Sequence, residues 1–125
     1  MHALIVDDNA YNLSILSRML SMEGVSSIDV IDPAALDVAL TDPTPIDVVF
    51  LDLELPGVNG LEVFEYLKAN DRFRQVPIIA CSIHISEINT VRKQGFQGFI
   101  GKPLDSDKFP KQLRQILGGE EVWSR

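Results

Sequence analysis

The sequence predicts an α/β domain: an open parallel sheet covered by helices on both faces. Short apolar runs alternate with stretches of helical period roughly every 20 to 25 residues, the order that right-handed strand–helix–strand crossovers require. The first of these runs is continuous rather than alternating, as befits a strand buried on both faces. At 125 residues, 46% hydrophobic and 23% charged, the chain has the size and composition of one self-folding domain.

Each element has its own signal. Ala3 to Val6 is the first strand, ended by Asp7-Asp8. From about Ala10 to Met22, Leu13, Leu16 and Leu20 recur at helical spacing with Ile15 and Met19 alongside, and Gly24 stands where a helix stops. Ser27 to Ile31 suits a second strand, Pro33 suits the first turn of a short helix over Ala34 to Leu40, and Thr41-Asp42-Pro43-Thr44-Pro45 breaks the chain. Asp47 to Asp52 is the densest β-branched and aromatic run; it also ends in aspartate, and Pro56-Gly57 and Asn59-Gly60 supply turn residues after it. A helix over Leu61 to Ala69, a fourth strand over Val76 to Ser82, a helix over Ile85 to Gln94 closed by Gly95, and a brief fifth strand from Gly98 to Ile100 follow, with Lys102-Pro103 next. Phe109, Leu113, Ile116 and Leu117 mark the last helix. Pro110 lacks the amide hydrogen that a helix interior needs, so Asp107 is expected as the N-cap with Pro110 in the first turn. Residues 1–117 are read as the domain and 118–125 as a tail or the start of a linker, with Trp123 either a docking anchor or, the preferred reading, part of a frayed tail.

Composition narrows the function. Eleven basic against eighteen acidic residues give a formal charge of −7, which repels phosphate backbones and anionic lipid, so neither nucleic acid nor membrane is expected as a direct partner. The longest apolar runs fall far short of the roughly 20 residues a membrane span needs, and a cytosolic location is expected. The single cysteine, Cys81, is read as a small buried hydrophobe.

In an open parallel sheet, ligands bind outside the carboxyl ends of the strands. Asp7 and Asp8 close strand one, Asp52 closes strand three, Ser82 closes strand four and Lys102 follows strand five, so the fold gathers them in one crevice. Three carboxylates together repel one another and call for a cation. Oxygen-only ligands suit Mg²⁺, whereas zinc would want His or Cys. A carboxylate beside Mg²⁺ can attack a phosphoryl group and form an acyl phosphate, with Lys102 and the Ser82 hydroxyl binding phosphoryl oxygens.

The motifs in combination resemble the response-regulator receiver family over essentially the whole chain to about Leu117. The acidic pair Asp7-Asp8, Asp52 within VVFLDLELPGVNG, Ser82 ending IIACS, and Lys102-Pro103 after GFI follow the family's order. The resemblance implies a flavodoxin-like, doubly wound sheet of five parallel strands in order 2-1-3-4-5, with five helices in three layers. It implies that Asp52 is phosphorylated, that Asp8, Asp52 and the backbone carbonyl of Glu54 coordinate Mg²⁺, and that Asp7 acts mostly through a metal-bound water. Lys102 would contact the phosphoryl group, aimed by a cis peptide bond before Pro103. Ser82 and Phe99 resemble the family's switch pair, which reshapes the surface of helix four, strand five and helix five. The implied partners are a sensor histidine kinase or histidine phosphotransfer protein and a downstream protein target, with a homodimer left open. Asn9 and Asn12 in VDDNAYN resemble receivers of hybrid kinases and stand-alone phosphorelay shuttles.

Three positions depart from the pattern. Ile83 stands where a small residue is usual, Glu54 where methionine is commoner, and Phe96 where alanine is frequent. Glu54, Ile83 and His84 are expected to set how fast the phosphate is lost, and Glu54 and Phe96 to tune kinetics or partner choice. Two other readings stay open. VVFLDLEL also resembles the opening of Mg²⁺-dependent phosphohydrolases that work through an aspartyl phosphate, although that class usually carries a second aspartate where this chain has Glu54. A degenerate receiver serving only as a docking module is the other. The phosphoacceptor reading makes the protein a switch rather than an enzyme, with only self-catalysed phosphorylation and dephosphorylation.

Overall fold

The computed structural model describes residues 1–124. Its sheet is parallel throughout, with strands β1 (His2–Val6), β2 (Ser26–Val30), β3 (Val48–Asp52), β4 (Ile78–Ser82), β5 (Gly98–Gly101) and β6 (Val122–Ser124) in order β2-β1-β3-β4-β5-β6. Helices α1 (Ala10–Met22), α2 (Leu36–Ala39), α3 (Gly60–Lys68), α4 (Ile88–Gln94) and α5 (Phe109–Leu117) connect the strands, and short 3-10 turns lead into α2 and α4. None of these helices is long and apolar enough to cross a membrane.

The continuous apolar runs explain the layering. In β1 and β3, alternate residues enter opposite cores: Leu4, Val6, Val49 and Leu51 pack with Val63, Phe64, Leu67 and Val91 of α3 and α4. Ala3, Ile5, Val48 and Phe50 pack with Leu13, Leu16 and Leu20 of α1 and Phe109, Leu113 and Ile116 of α5. Both sides of the sheet are therefore dry, which is why these strands lack a polar alternation.

The expected five-stranded sheet needs one correction. The segment read as a tail contains β6, which lies parallel to β5 with Gly98 opposite Val122, Phe99 opposite Trp123 and Ile100 opposite Ser124. Val122 is buried, and the Trp123 ring is covered by the Arg92 guanidinium of α4, 4.4 Å from the ring centroid. Gly98 makes this approach possible: a Cβ there would stand 2.6 Å from the Val122 carbonyl oxygen. Trp123 is thus a packed strand residue rather than a frayed one. Arg125 lies outside the described residues.

The last helix is also capped differently from the expectation. Lys108, not Asp107, occupies the N-cap position, with Pro110 in the first turn as expected. Asp105 does the capping from the preceding turn: its carboxylate accepts the Asp107 amide at 2.8 Å and its carbonyl accepts the Phe109 amide at 2.9 Å. Phe96 lies in the core, stacked on Phe64 with centroids 4.2 Å apart, which gives this bulky residue a packing role.

Candidate functional site

The carboxyl ends of β1, β3, β4 and β5 meet in one crevice. The Asp7 amide still bonds to the Val30 carbonyl at 3.1 Å, so the backbone holds Asp7 rigidly just past β1, and its Oδ1 accepts the Asn9 amide at 2.9 Å. Asp52, the last residue of β3, accepts the Glu54 amide on Oδ1 at 3.0 Å. Asp7 and Asp52 are buried and Asp8 half-buried, and each offers a carboxylate oxygen within 4.8 Å of the other two. Lys102 reaches in from the turn after β5, with Nζ 3.0 Å from Asp52 Oδ1 and 3.3 Å from Asp7 Oδ2. The Lys102–Pro103 peptide bond is cis, as expected.

Charges in this crevice act on one another through little water. Burial pushes the Asp52 carboxyl up, but hydrogen bonds from Glu54 and Lys102, with the Lys102 charge, outweigh it and leave the group below its ordinary range. Asp7 moves the other way: burial raises it, the Asn9 amide pulls it back, and the charge of Asp52 raises it again. Burial alone would lower Lys102, yet its bond to Asp52 and the charges of Asp52 and Asp7 hold it above the usual lysine range. One ammonium thus faces a carboxylate held ionised and another that carries the burden of repulsion. Three hard oxygen donors with a shortfall of positive charge suit a divalent cation of the Mg²⁺ type.

The rest of the expected set surrounds this centre. Ser82, fully buried at the end of β4, donates its hydroxyl to Glu54 Oε1 and accepts the His84 amide on Oγ at 2.9 Å. The Ile83 amide donates to the same Glu54 oxygen at 3.0 Å, and His84 Nε2 lies 3.9 Å from it. The Ile83 side chain is exposed, and the Phe99 ring is buried in the core that the sheet forms with α3 and α4. Burial pushes the neighbouring Cys81 thiol up to about 12, so it is an inert filler of the core.

Two features were missed from sequence. A cavity of about 190 Å³ opens beside Asp7, Asp52 and Lys102 and is walled by Tyr11, Asn12, Ile15 and Leu104. The helical spacing of Ile15 was visible, but nothing in the chain signalled that Leu104 would meet it. The Glu54 side chain, given a general tuning role, turns out to hold Ser82 and Ile83 directly, a contact across 28 and 29 positions that leaves no local pattern.

A family model for the response regulator receiver domain matches residues 3–114. The chain is 30% identical over 118 residues to the polar-differentiation response regulator DivK of Brucella anthropi, an overlap of 92% of this chain and 94% of that protein. In fold it is similar to the chemotaxis protein CheY4 of Vibrio cholerae, with TM-score 0.81, 21% identity, and coverage of 92% of this chain and 97% of that one. It is similar also to the receiver domain of a sensor histidine kinase from Pseudomonas aeruginosa that was solved with a magnesium ion in its active-site cleft. That match has TM-score 0.79 and 24% identity and covers 94% and 97% of the two chains.

Proposed function

This chain belongs to the response regulator receiver family and is a receiver domain of two-component signalling, and on that premise we propose that Asp52 is its phosphoacceptor, loaded from a phosphohistidine donor in a Mg²⁺-dependent step. The observation that carries the reading is the gathering of the Asp7, Asp8 and Asp52 carboxylates within 4.8 Å of one another, with Lys102 Nζ 3.0 Å from Asp52.

The chemistry follows from the residues. Asp52 Oδ1 is engaged by the Glu54 amide and Lys102, which leaves Oδ2 to attack phosphorus. Attack forms the Asp52 O–P bond as the donor's P–N bond breaks, and the donor ring, protonated on its other nitrogen, leaves as neutral imidazole with the electron pair; Asp52 is already ionised, so no base is needed. A dication held by Asp8, Asp52 and the Glu54 carbonyl, with Asp7 acting through water, would neutralise the negative charge of the incoming phosphoryl oxygens. Lys102 then passes from Asp52 to a phosphoryl oxygen, and Ser82 supplies a hydroxyl to another. Phe99 follows Ser82, and the surface of α4, β5 and α5 relays the change to a downstream protein. Ile83 and His84, beside the site, govern how readily water reaches the acyl phosphate. Ile83→Ala is expected to speed phosphate loss, and an unchanged rate would remove Ile83 from that role.

The test is intact mass after incubation with acetyl phosphate, with and without Mg²⁺, on the native protein and Asp52→Ala. A gain of about 80 Da that needs both Mg²⁺ and Asp52 is the expected result. Turnover of many donor equivalents per protein would instead favour a phosphohydrolase. No gain even from a histidine phosphotransfer donor would leave a docking module.

A further inference from the structure

Glu54 makes a contact that the reaction does not need. Its carboxylate folds back over the end of β4, where Oε1 accepts the Ser82 hydroxyl and the Ile83 amide, the latter at 3.0 Å. Its own amide meanwhile sits on Asp52 Oδ1 at 3.0 Å. The register places this arrangement beside the phosphoacceptor: Asp52 is opposite Cys81, and the Leu53 amide bonds to the Cys81 carbonyl at 3.1 Å, so Ser82 and Ile83 are the next two residues past Asp52's neighbour.

Two donors thus converge on one anionic oxygen next to Asp52. A phosphoryl group on Asp52 would bring terminal oxygens of the same character, anionic and able to accept two hydrogen bonds, to the same place. The donors cannot serve both. Glu54 is also incompletely satisfied, since Oε2 is buried without a hydrogen-bond partner among the described residues, so its hold on this position is weaker than its charge suggests. Phe99, opposite Ala80 two residues before Ser82, is fully buried in the same structure.

We propose that Glu54 is an internal surrogate of the phosphoryl group: its carboxylate occupies the Ser82 and Ile83 donors in the unmodified protein and must be displaced from them when Asp52 is loaded. Glu54 is in this sense a positioning residue, acting through Ser82 and Ile83, and the proposal rests on Asp52 being the phosphoacceptor. Part of the phosphorylated arrangement is accordingly present beforehand, and phosphorylation exchanges one anion for another instead of building the donor pair anew.

The experiment uses Glu54→Ala and Glu54→Gln beside the native protein. In EDTA, the Ile83 amide proton is followed by NMR; it moves upfield in Glu54→Ala and less so in Glu54→Gln, whose amide oxygen can still accept. With Mg²⁺ present, beryllofluoride serves as an inert tetrahedral analogue of the phosphoryl group. Glu54→Ala binds it more tightly by about tenfold or more, the scale of a freed hydrogen bond to a charged group, and Glu54→Gln falls between. An Ile83 amide that ignores Glu54→Ala, or beryllofluoride bound no more tightly by that variant, overturns the proposal. If the native protein takes neither beryllofluoride nor a phosphoryl group, the phosphoacceptor reading itself fails. If it takes both and Glu54→Ala gains nothing, only the surrogate is lost.

Discussion

Lys102→Ala separates the electrostatics of the crevice from its chemistry. Nζ lies 3.0 Å from Asp52 and 3.3 Å from Asp7, and the three side chains are 14%, 3% and 8% exposed, so removal leaves two buried carboxylates facing each other. Breaking a buried pair in this way costs about 3–5 kcal/mol, and the adjoining cavity, which can admit water, puts this case near the low end, about 3 kcal/mol. At about 2.1 cal/mol/K of unfolding entropy per residue, 125 residues give about 0.26 kcal/mol/K, so the variant melts about 11 °C below the native protein in EDTA. Mg²⁺ then raises the variant's melting temperature more than the native protein's, because the ion supplies the missing charge without having to compete with an ammonium. Thermal unfolding followed by circular dichroism, with EDTA and with Mg²⁺, reads both effects. A variant melting within about 3 °C of the native protein in EDTA, or an equal Mg²⁺ shift in both, would refute this account.

Other consequences can be checked with single substitutions. Gly98→Ala drives a methyl group to 2.6 Å from the Val122 carbonyl oxygen and should cost about 1–3 kcal/mol in urea unfolding. Deleting residues 119–125 should make the same substitution nearly neutral, and additive costs would show that the clash is elsewhere. Arg92→Ala uncovers the Trp123 ring, and the expected results are a changed Trp123 emission and a loss of about 0.5–1 kcal/mol. Cys81, with its thiol pushed up to about 12 by burial, should resist thiol reagents at pH 8 and react only at the rate of unfolding; fast labelling of the native state would contradict its burial.

The charged centre was legible because topology did the gathering. Asp7, Asp8, Asp52, Ser82 and Lys102 each follow a recognisable apolar run, and a parallel sheet puts every such terminus at one end. What escaped prediction depends on contacts that leave no periodic trace. Val122-Trp123-Ser124 is too short to show alternation and follows Gly118-Gly119, so it read as a tail; its strand exists because Gly98 leaves room for it. Asp105 and Asp107 carry the same cap chemistry, and only the turn before α5 decides between them. The reach of Glu54 to Ser82 depends on how the loop after β3 returns over β4, and that path is set by tertiary packing.

The sixth strand also changes how the molecule meets its neighbours in solution. A sheet ending at β5 would present the edge of Gly98–Gly101, an apolar run whose open amides and carbonyls invite pairing with another chain. With β6 in place that run is interior, and the outer border among the described residues is Val122–Ser124, which includes a bulky indole under a guanidinium. Short, obstructed borders of this kind are poor templates for sheet-to-sheet growth. Any lesion that peels the last strand away therefore also lays bare a sticky flank, and clumping at high concentration should accompany the loss of Trp123 packing.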